Sequence, residues 1–178
     1  METRNLAELY DRPPMDWDEV RVRLEAGFPQ GPGSGTGDPG RFTTWLTTLN
    51  ADGGPHVTAV GAVWVDGSFF FTSARRARKG RNLAHDPRCA MSLSVREFDL
   101  TVEGEAELVT DPSTVQRLAQ VWAEGGWPCE VDESGAALTA PYSAQSAGPP
   151  PWHVYRIGAT SANAVQTEEP YGATRWRF

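Results

Sequence analysis

Between Asp16 and Phe28 the apolar residues Val20, Leu24 and Phe28 recur every fourth position, which places them on one face of a helix. Asp16 with Glu19 three residues on has the form of a capping box, so the helix is expected to start there. From Arg41 the pattern changes. The stretches RFTTWLTTLN, HVTAVGAVWV and SFFFTS are rich in β-branched and aromatic residues, and ADGG and Asp66-Gly67 separate them. Successive antiparallel hairpins follow, because Asp-Gly supplies the positive φ that a tight two-residue turn requires. A short helix over Lys79 to Ala84 is ended by Asp86-Pro87, and a strand follows from Cys89 to Val95. Farther along, Leu100, Val102, Gly104 and Ala106 alternate with Thr101, Glu103 and Glu105, the pattern of a strand with one buried face. Asp111-Pro112 opens a further helix whose apolar stripe is Val115, Leu118, Val121 and Trp122, closed by Gly125-Gly126. WHVYRIGATSANAV is the last predicted strand.

Six or seven short strands with two or three helices between them predict an α+β fold, mainly an antiparallel β-barrel. Residues 1–40, an N-terminal helix and a Gly/Pro-rich connection, precede a barrel domain over residues 41–178. Within that connection GPGSGTG resembles a nucleotide loop only superficially, since no strand precedes it and no lysine follows. Trp127 to Pro151 is polar and rich in Pro and Gly and reads as an extended excursion with some strand character.

Composition narrows the function. The 178-residue chain carries a net charge of -7, so a broad positive field for nucleic acid or an anionic membrane is absent. The N-terminal sequence has no hydrophobic signal core and no run of eighteen apolar residues occurs, so the expected location is the cytoplasm. Cys89 and Cys129 stand apart without CxxC or Cys/His spacing, and no metal site is expected.

Against that acidic background, five of the seven residues from Arg75 to Arg81 are cationic, and Lys79 is the only lysine in the chain. This segment follows the strand SFFFTS and enters the short helix near Arg78. A helix N-terminus offers unpaired N–H groups and the positive end of the helix dipole, with the hydroxyls of Thr72 and Ser73 just before it. Arg78 adds a bidentate guanidinium and Lys79 a compact ammonium, which together describe a phosphate site. A solvated cationic turn is the other reading, and composition does not separate the two.

The order of elements resembles a known family. HVTAVGAVWVDGSFFFTSARRARKGRNLAHDPRCAMSL presents strand, turn, a strand ending in aromatic-Thr-Ser, an Arg-Lys pair, a short helix with Asn-Leu, then Asp-Pro-Arg and another strand. This is similar to the pyridoxamine 5′-phosphate oxidase family and its flavin/deazaflavin oxidoreductase relatives, over roughly Arg41 to Phe178. The resemblance implies a split β-barrel, a homodimer, and a phosphate grip at Arg78 and Lys79. It places Phe71 and Thr72 along the cofactor's phosphoribityl chain. The strand His56, Val57, Thr58, Ala59, Val60 and Gly61 would run beside the ring system. It makes Arg175 and Trp176, in the ending ATRWRF, candidates for closing the site across a dimer interface. Two departures count against vitamin-B6 oxidation. Gly61 stands where the oxidase has a substrate-contacting lysine, and the tail lacks its Arg-Leu-His-Asp-Arg run. His56 likewise replaces the arginine at the start of the cofactor strand.

The expectation is an oxidoreductase that binds flavin mononucleotide (FMN) or the deazaflavin coenzyme F-420 and transfers hydride to or from a small organic substrate. The cofactor would carry the chemistry, so no catalytic triad is needed and no catalytic residue is assigned. A deazaflavin has an acidic tail, for which Arg75, Arg76 and Arg81 would serve as counter-charges. The alternative is a non-catalytic carrier of a flavin or tetrapyrrole on the same barrel. His85 is expected to face solvent, and His153 to lie in the core or at a sheet edge.

Overall fold

The computed structural model describes residues 1–28, 43–144 and 146–178. Its strands are β1 (Glu2–Asn5), β2 (Thr44–Leu49), β3 (Pro55–Val60), β4 (Ala62–Val65), β5 (Ser68–Ser73), β6 (Arg88–Ser94), β7 (Phe98–Leu108), β8 (Glu130–Val131), β9 (Ala137–Thr139), β10 (Trp152–Gln166) and β11 (Ala173–Arg177). The helices are α1 (Trp17–Glu25), α2 (Arg78–His85) and α3 (Pro112–Glu124). All pairs are antiparallel within one sheet, ordered β1-β11-β10-β7-β6-β2-β3. The β4–β5 and β8–β9 hairpins join it through β10. This is the α+β split barrel expected. The long β10 makes the split: its first residues pair with β5 and β9, and its remainder pairs with β7 and β11.

Asp66 (φ 48°) and Gly67 (φ 75°) form the predicted positive-φ turn between β4 and β5. The Asn50–Gly54 turn joins β2 to β3, with Asn50 N–H donating to the Gly54 carbonyl at 2.9 Å. These two turns explain one departure from expectation. HVTAVGAVWV is not a single strand; it divides at Gly61, where β3 stays with β2 while β4 stays with β5. Each half is committed to a different part of the sheet by its own turn.

β5 is buried on both faces. Phe69 and Phe71 enter the main core, and Phe70 enters a second core with Val115, Leu118 and Trp122 of α3. Each buried phenylalanine contributes on the order of 2–3 kcal/mol of transfer free energy, so this strand is firmly held. The Asp111 carboxylate caps α3 by accepting from Thr114 N–H at 2.8 Å, as its sequence position implied.

The chain ends add strands that the sequence pattern did not announce. β1 pairs with β11, Glu2 opposite Arg177 and Asn5 opposite Thr174. α1, capped by Asp16, buries Val20 and Leu24 in the main core and sets Trp17 against Trp176 with ring centroids 5.1 Å apart. The Gly/Pro-rich connection, including GPGSGTG, lies outside the described residues. No helix among the described residues is long and apolar enough to cross a membrane.

Candidate functional site

β5 ends at Ser73, and the chain turns through Ala74–Ala77 into α2. Ala77 N–H donates to the Ala74 carbonyl at 3.0 Å and the Arg81 guanidinium donates to the Arg76 carbonyl, so the turn is tied at both levels. Gly80 permits the closure: a Cβ there would lie 2.4 Å from the Ala74 oxygen and 2.9 Å from the Arg75 Cα. The helix starts without a side-chain cap, because its N-cap residue is Ala77. Its first amides are therefore left to solvent or a ligand.

α2 docks on the sheet through Asn82, which donates to Thr48 Oγ1 at 3.0 Å and to Asn50 Oδ1 at 3.1 Å. Thr48 lies directly opposite His56. Because side chains alternate along a strand, His56, Thr58 and Val60 share the inner face of β3 with Thr48 and Leu46 of β2. Val57 and Ala59 point to the outer face, where Val57 is 55% exposed beside Trp45 at 48%. Burial, then the charges of Arg78 and Lys79, hold the His56 pKa below its ordinary value. The imidazole, guanidinium and ammonium therefore share one neighbourhood, built from two elements far apart in sequence.

The five cations divide into two groups. Arg76 donates to the carbonyls of Pro149 (2.8 Å) and Pro150 (3.2 Å), and Arg81 is folded back on the Arg76 carbonyl. Arg75, Arg78 and Lys79 have no hydrogen-bond or ion-pair partner among the described residues. Lys79 is partly buried, which lowers its pKa, and an anion beside it would restore the balance. Two cations, uncapped helix amides and a glycine-closed turn fit a phosphate group.

Other predicted residues are placed as follows. Thr72 is half-buried and opposite Val154 of β10. Ser73 is buried, and its hydroxyl donates to the Ala74 carbonyl at 3.1 Å. Phe71 is buried and stacked on Tyr155 at 5.4 Å and 10°. Gly61 is exposed at the joint between β3 and β4. Arg175 and Trp176 stand on β11, separated from β3 along the sheet by β10, β7, β6 and β2. Arg175 is half-buried and 3.9 Å from Glu103, while Trp176 is fully buried against Trp17 and does not line an open site within one chain. His85 is exposed at the end of α2. His153 lies opposite Ser73, with a buried Nδ1 that has no hydrogen-bond partner among the described residues. Its pKa is lowered by burial and by Arg75, with Asp132 opposing.

Asp86-Pro87-Arg88 is a clasp at the end of α2. The Asp86 carboxylate accepts from Arg88 N–H at 3.1 Å and from its guanidinium at 2.6 Å, which holds the Asp86 pKa down at about 2. Asn82, Thr48 and Gly80 carry as much of the geometry as the cations, and sequence reasoning gave them no role beyond Asn-Leu in the family pattern. Concave surface lies elsewhere too: a groove of about 300 Å³ on the outer sheet face is lined by Trp45, Ser92, Asp99 and Thr101.

The fold is a split barrel, and at its β5–α2 turn Arg78 and Lys79 stand at an uncapped helix start. The chain belongs to the pyridoxamine 5′-phosphate oxidase family, whose sequence profile, described as pyridoxamine 5′-phosphate oxidase, matches residues 39–166. No curated protein matches the chain. Among solved structures it is similar to general stress protein 26 from Bacillus anthracis, with 14% identity, a TM-score of 0.55, and coverage of 90% of this chain and 99% of that one. A conserved hypothetical protein from Mycobacterium tuberculosis shares 22% identity at a TM-score of 0.56, with 84% of each chain covered. A heme binding protein from Mycobacterium smegmatis shares 19% identity at a TM-score of 0.51, over 74% of this chain and 51% of that one. At these identities the likeness is one of fold.

Proposed function

We propose that the protein is an oxidoreductase that holds the phosphate of FMN between Arg78, Lys79 and the first amides of α2, and works on a small organic substrate. The observation that carries this reading is the pair Arg78 and Lys79, unpartnered among the described residues, on an uncapped helix start whose close turn depends on Gly80. Arg78 would bind two phosphate oxygens through its fork, Lys79 would add a point charge, and the helix amides would donate along the dipole. When bound, the cofactor supplies hydride chemistry. The chain's own contribution is position and field. The charges of Arg78 and Lys79 reach His56, and the inner face of β3 offers Thr58 and Val60 along the same strand.

The charge inventory favours FMN. Arg76 and Arg81 are occupied by backbone carbonyls, so the grip faces a single phosphate with Arg78 and Lys79. Coenzyme F-420 is the second reading, supported by Arg75, which remains unpartnered and could meet an acidic tail. A second copy of the chain would complete the site. The exposed Val57 and Ala59 of β3, the strand that also carries His56, form with the exposed Trp45 of β2 an outer sheet face suited to that partner.

Fluorescence titration of the cofactor-free protein with FMN and, separately, with coenzyme F-420 tests the reading. Tight FMN binding alone supports it, tight F-420 binding alone replaces FMN with the second reading, and binding of neither overturns both. Sedimentation velocity with Trp45→Glu tests the dimer: the wild-type chain should sediment as two copies and the variant as one.

A further inference from the structure

Arg76 has a use that the phosphate grip leaves unexplained. Residues 140–151 connect β9 to β10, a long excursion between two strands that pair directly, Leu138 opposite Trp152 and Ala137 opposite His153. It is longer than most connections in compact domains, which run about 4–6 residues. Side chains from outside it hold both ends. Trp127 Nε1 donates to the Tyr142 carbonyl at 2.7 Å near one end, and Arg76 donates to the Pro149 and Pro150 carbonyls at the other. The Gly148-Pro149-Pro150-Pro151 end contains three prolines, which have no N–H to enter a ladder, so its carbonyls depend on donors from outside. Arg76 supplies such a donor, and it comes from the turn that carries Arg78 and Lys79.

We propose that Arg76 is a positioning residue: it latches the Pro149–Pro150 segment onto the β5–α2 turn, making that segment the wall of the site next to the anion grip. The same turn thus holds three things. Its backbone is closed by Gly80, its carbonyl at Arg76 is bound by Arg81, and its Arg76 side chain reaches the wall. A phosphate held by Arg78 and Lys79 stabilises the turn in the form that keeps the latch shut. Linkage requires the converse, that a shut latch favours phosphate binding. The ligand half of this proposal rests on the phosphate reading above; the latch itself does not.

The test uses the full chain carrying a fluorophore attached through Ser146→Cys, an exposed position. Labelling is selective because Cys89 and Cys129 are buried and their thiols are pushed up to about 12 and about 11. Without ligand, Arg76→Ala should lower the label's anisotropy while Arg76→Lys, which keeps a donor, restores most of it. Equal anisotropy in Arg76→Ala and the parent would overturn the latch, as would a fall accompanied by loss of the cooperative thermal transition. Addition of FMN should raise the anisotropy of the parent and leave Arg76→Ala unchanged, and riboflavin, which lacks the phosphate, should raise neither. An undiminished FMN response in Arg76→Ala overturns the coupling. If the unlabelled chain does not bind FMN, the phosphate reading has failed, and the ligand-free comparison decides the latch.

Discussion

Asn82 on α2 donates a hydrogen bond to Thr48 on β2 across 3.0 Å, and both side chains are buried. That bond fixes the helix whose N-terminus carries Arg78 and Lys79 against the strand that holds His56 in register. Asn82→Ala should therefore cost about 1–3 kcal/mol of stability, since it leaves the Thr48 hydroxyl without its donor. Urea unfolding of the two proteins measures it. A larger loss of FMN affinity than of stability would show that α2 has moved while the barrel persists.

The grip itself makes a sharper prediction. Charge-assisted hydrogen bonds contribute roughly 1.5–3 kcal/mol, so Arg78→Ala and Lys79→Ala should each weaken FMN binding roughly 10- to 100-fold. Riboflavin affinity should change little. Equal losses for FMN and riboflavin would move the two cations away from the phosphate and onto the ring or ribityl chain.

Gly80→Ala sets two effects against each other. Alanine is favoured over glycine in a helix by about 1 kcal/mol, yet its Cβ would sit 2.4 Å from the Ala74 carbonyl oxygen, a backbone atom. The clash wins, because the turn cannot open without breaking the Ala77-to-Ala74 hydrogen bond. The variant should melt lower and bind FMN less tightly, as calorimetry and titration would report.

His56 provides a pH signature. Its folded pKa lies below the unfolded value of 6.5 because of burial and then the charges of Arg78 and Lys79. The folded state binds fewer protons than the unfolded one in that range, so stability is intact above pH 6.5 and falls as pH drops from there toward the folded pKa. His153, lowered by burial and Arg75, acts in the same direction. An anion on Arg78 and Lys79 offsets their charge, so FMN or inorganic phosphate should raise the His56 pKa. NMR titration of its imidazole protons reads the change directly, and a pKa indifferent to both ligands would count against the shared neighbourhood.

What the sequence made legible was local. α3 could be read because Asp111-Pro112 caps it and its stripe is regular, and the Asp66-Gly67 turn because only a positive-φ pair fits. The division of HVTAVGAVWV at Gly61 was hidden, since both halves are equally apolar and β-branched and only their partners differ. Strand alternation put His56, Thr58 and Val60 on one face of β3, but pairing with Thr48 and Leu46 was needed to make it the inner one. The five cations looked alike in the sequence. Arg76 and Arg81 were separated from Arg75, Arg78 and Lys79 by contacts with backbone carbonyls, one of them more than seventy residues away. Tail strand β11 was missed because ATRWR is short and strongly polar, and its burial comes from α1 packing over Trp176.

The pairing of β1 with β11 has a consequence for how the molecule is made. β11 brings a buried tryptophan to the sheet, and without a neighbour its backbone would be an open edge of the kind that recruits other chains. The neighbour is Glu-Thr-Arg-Asn, polar throughout and almost wholly exposed, from the opposite end of the chain. Among the described strands β1 pairs only with β11, so it has no partner in the sheet until a strand made more than 160 residues later is available. This pairing is a contact of very long sequence separation, so its loop-closure entropy is met before the contact stabilises anything.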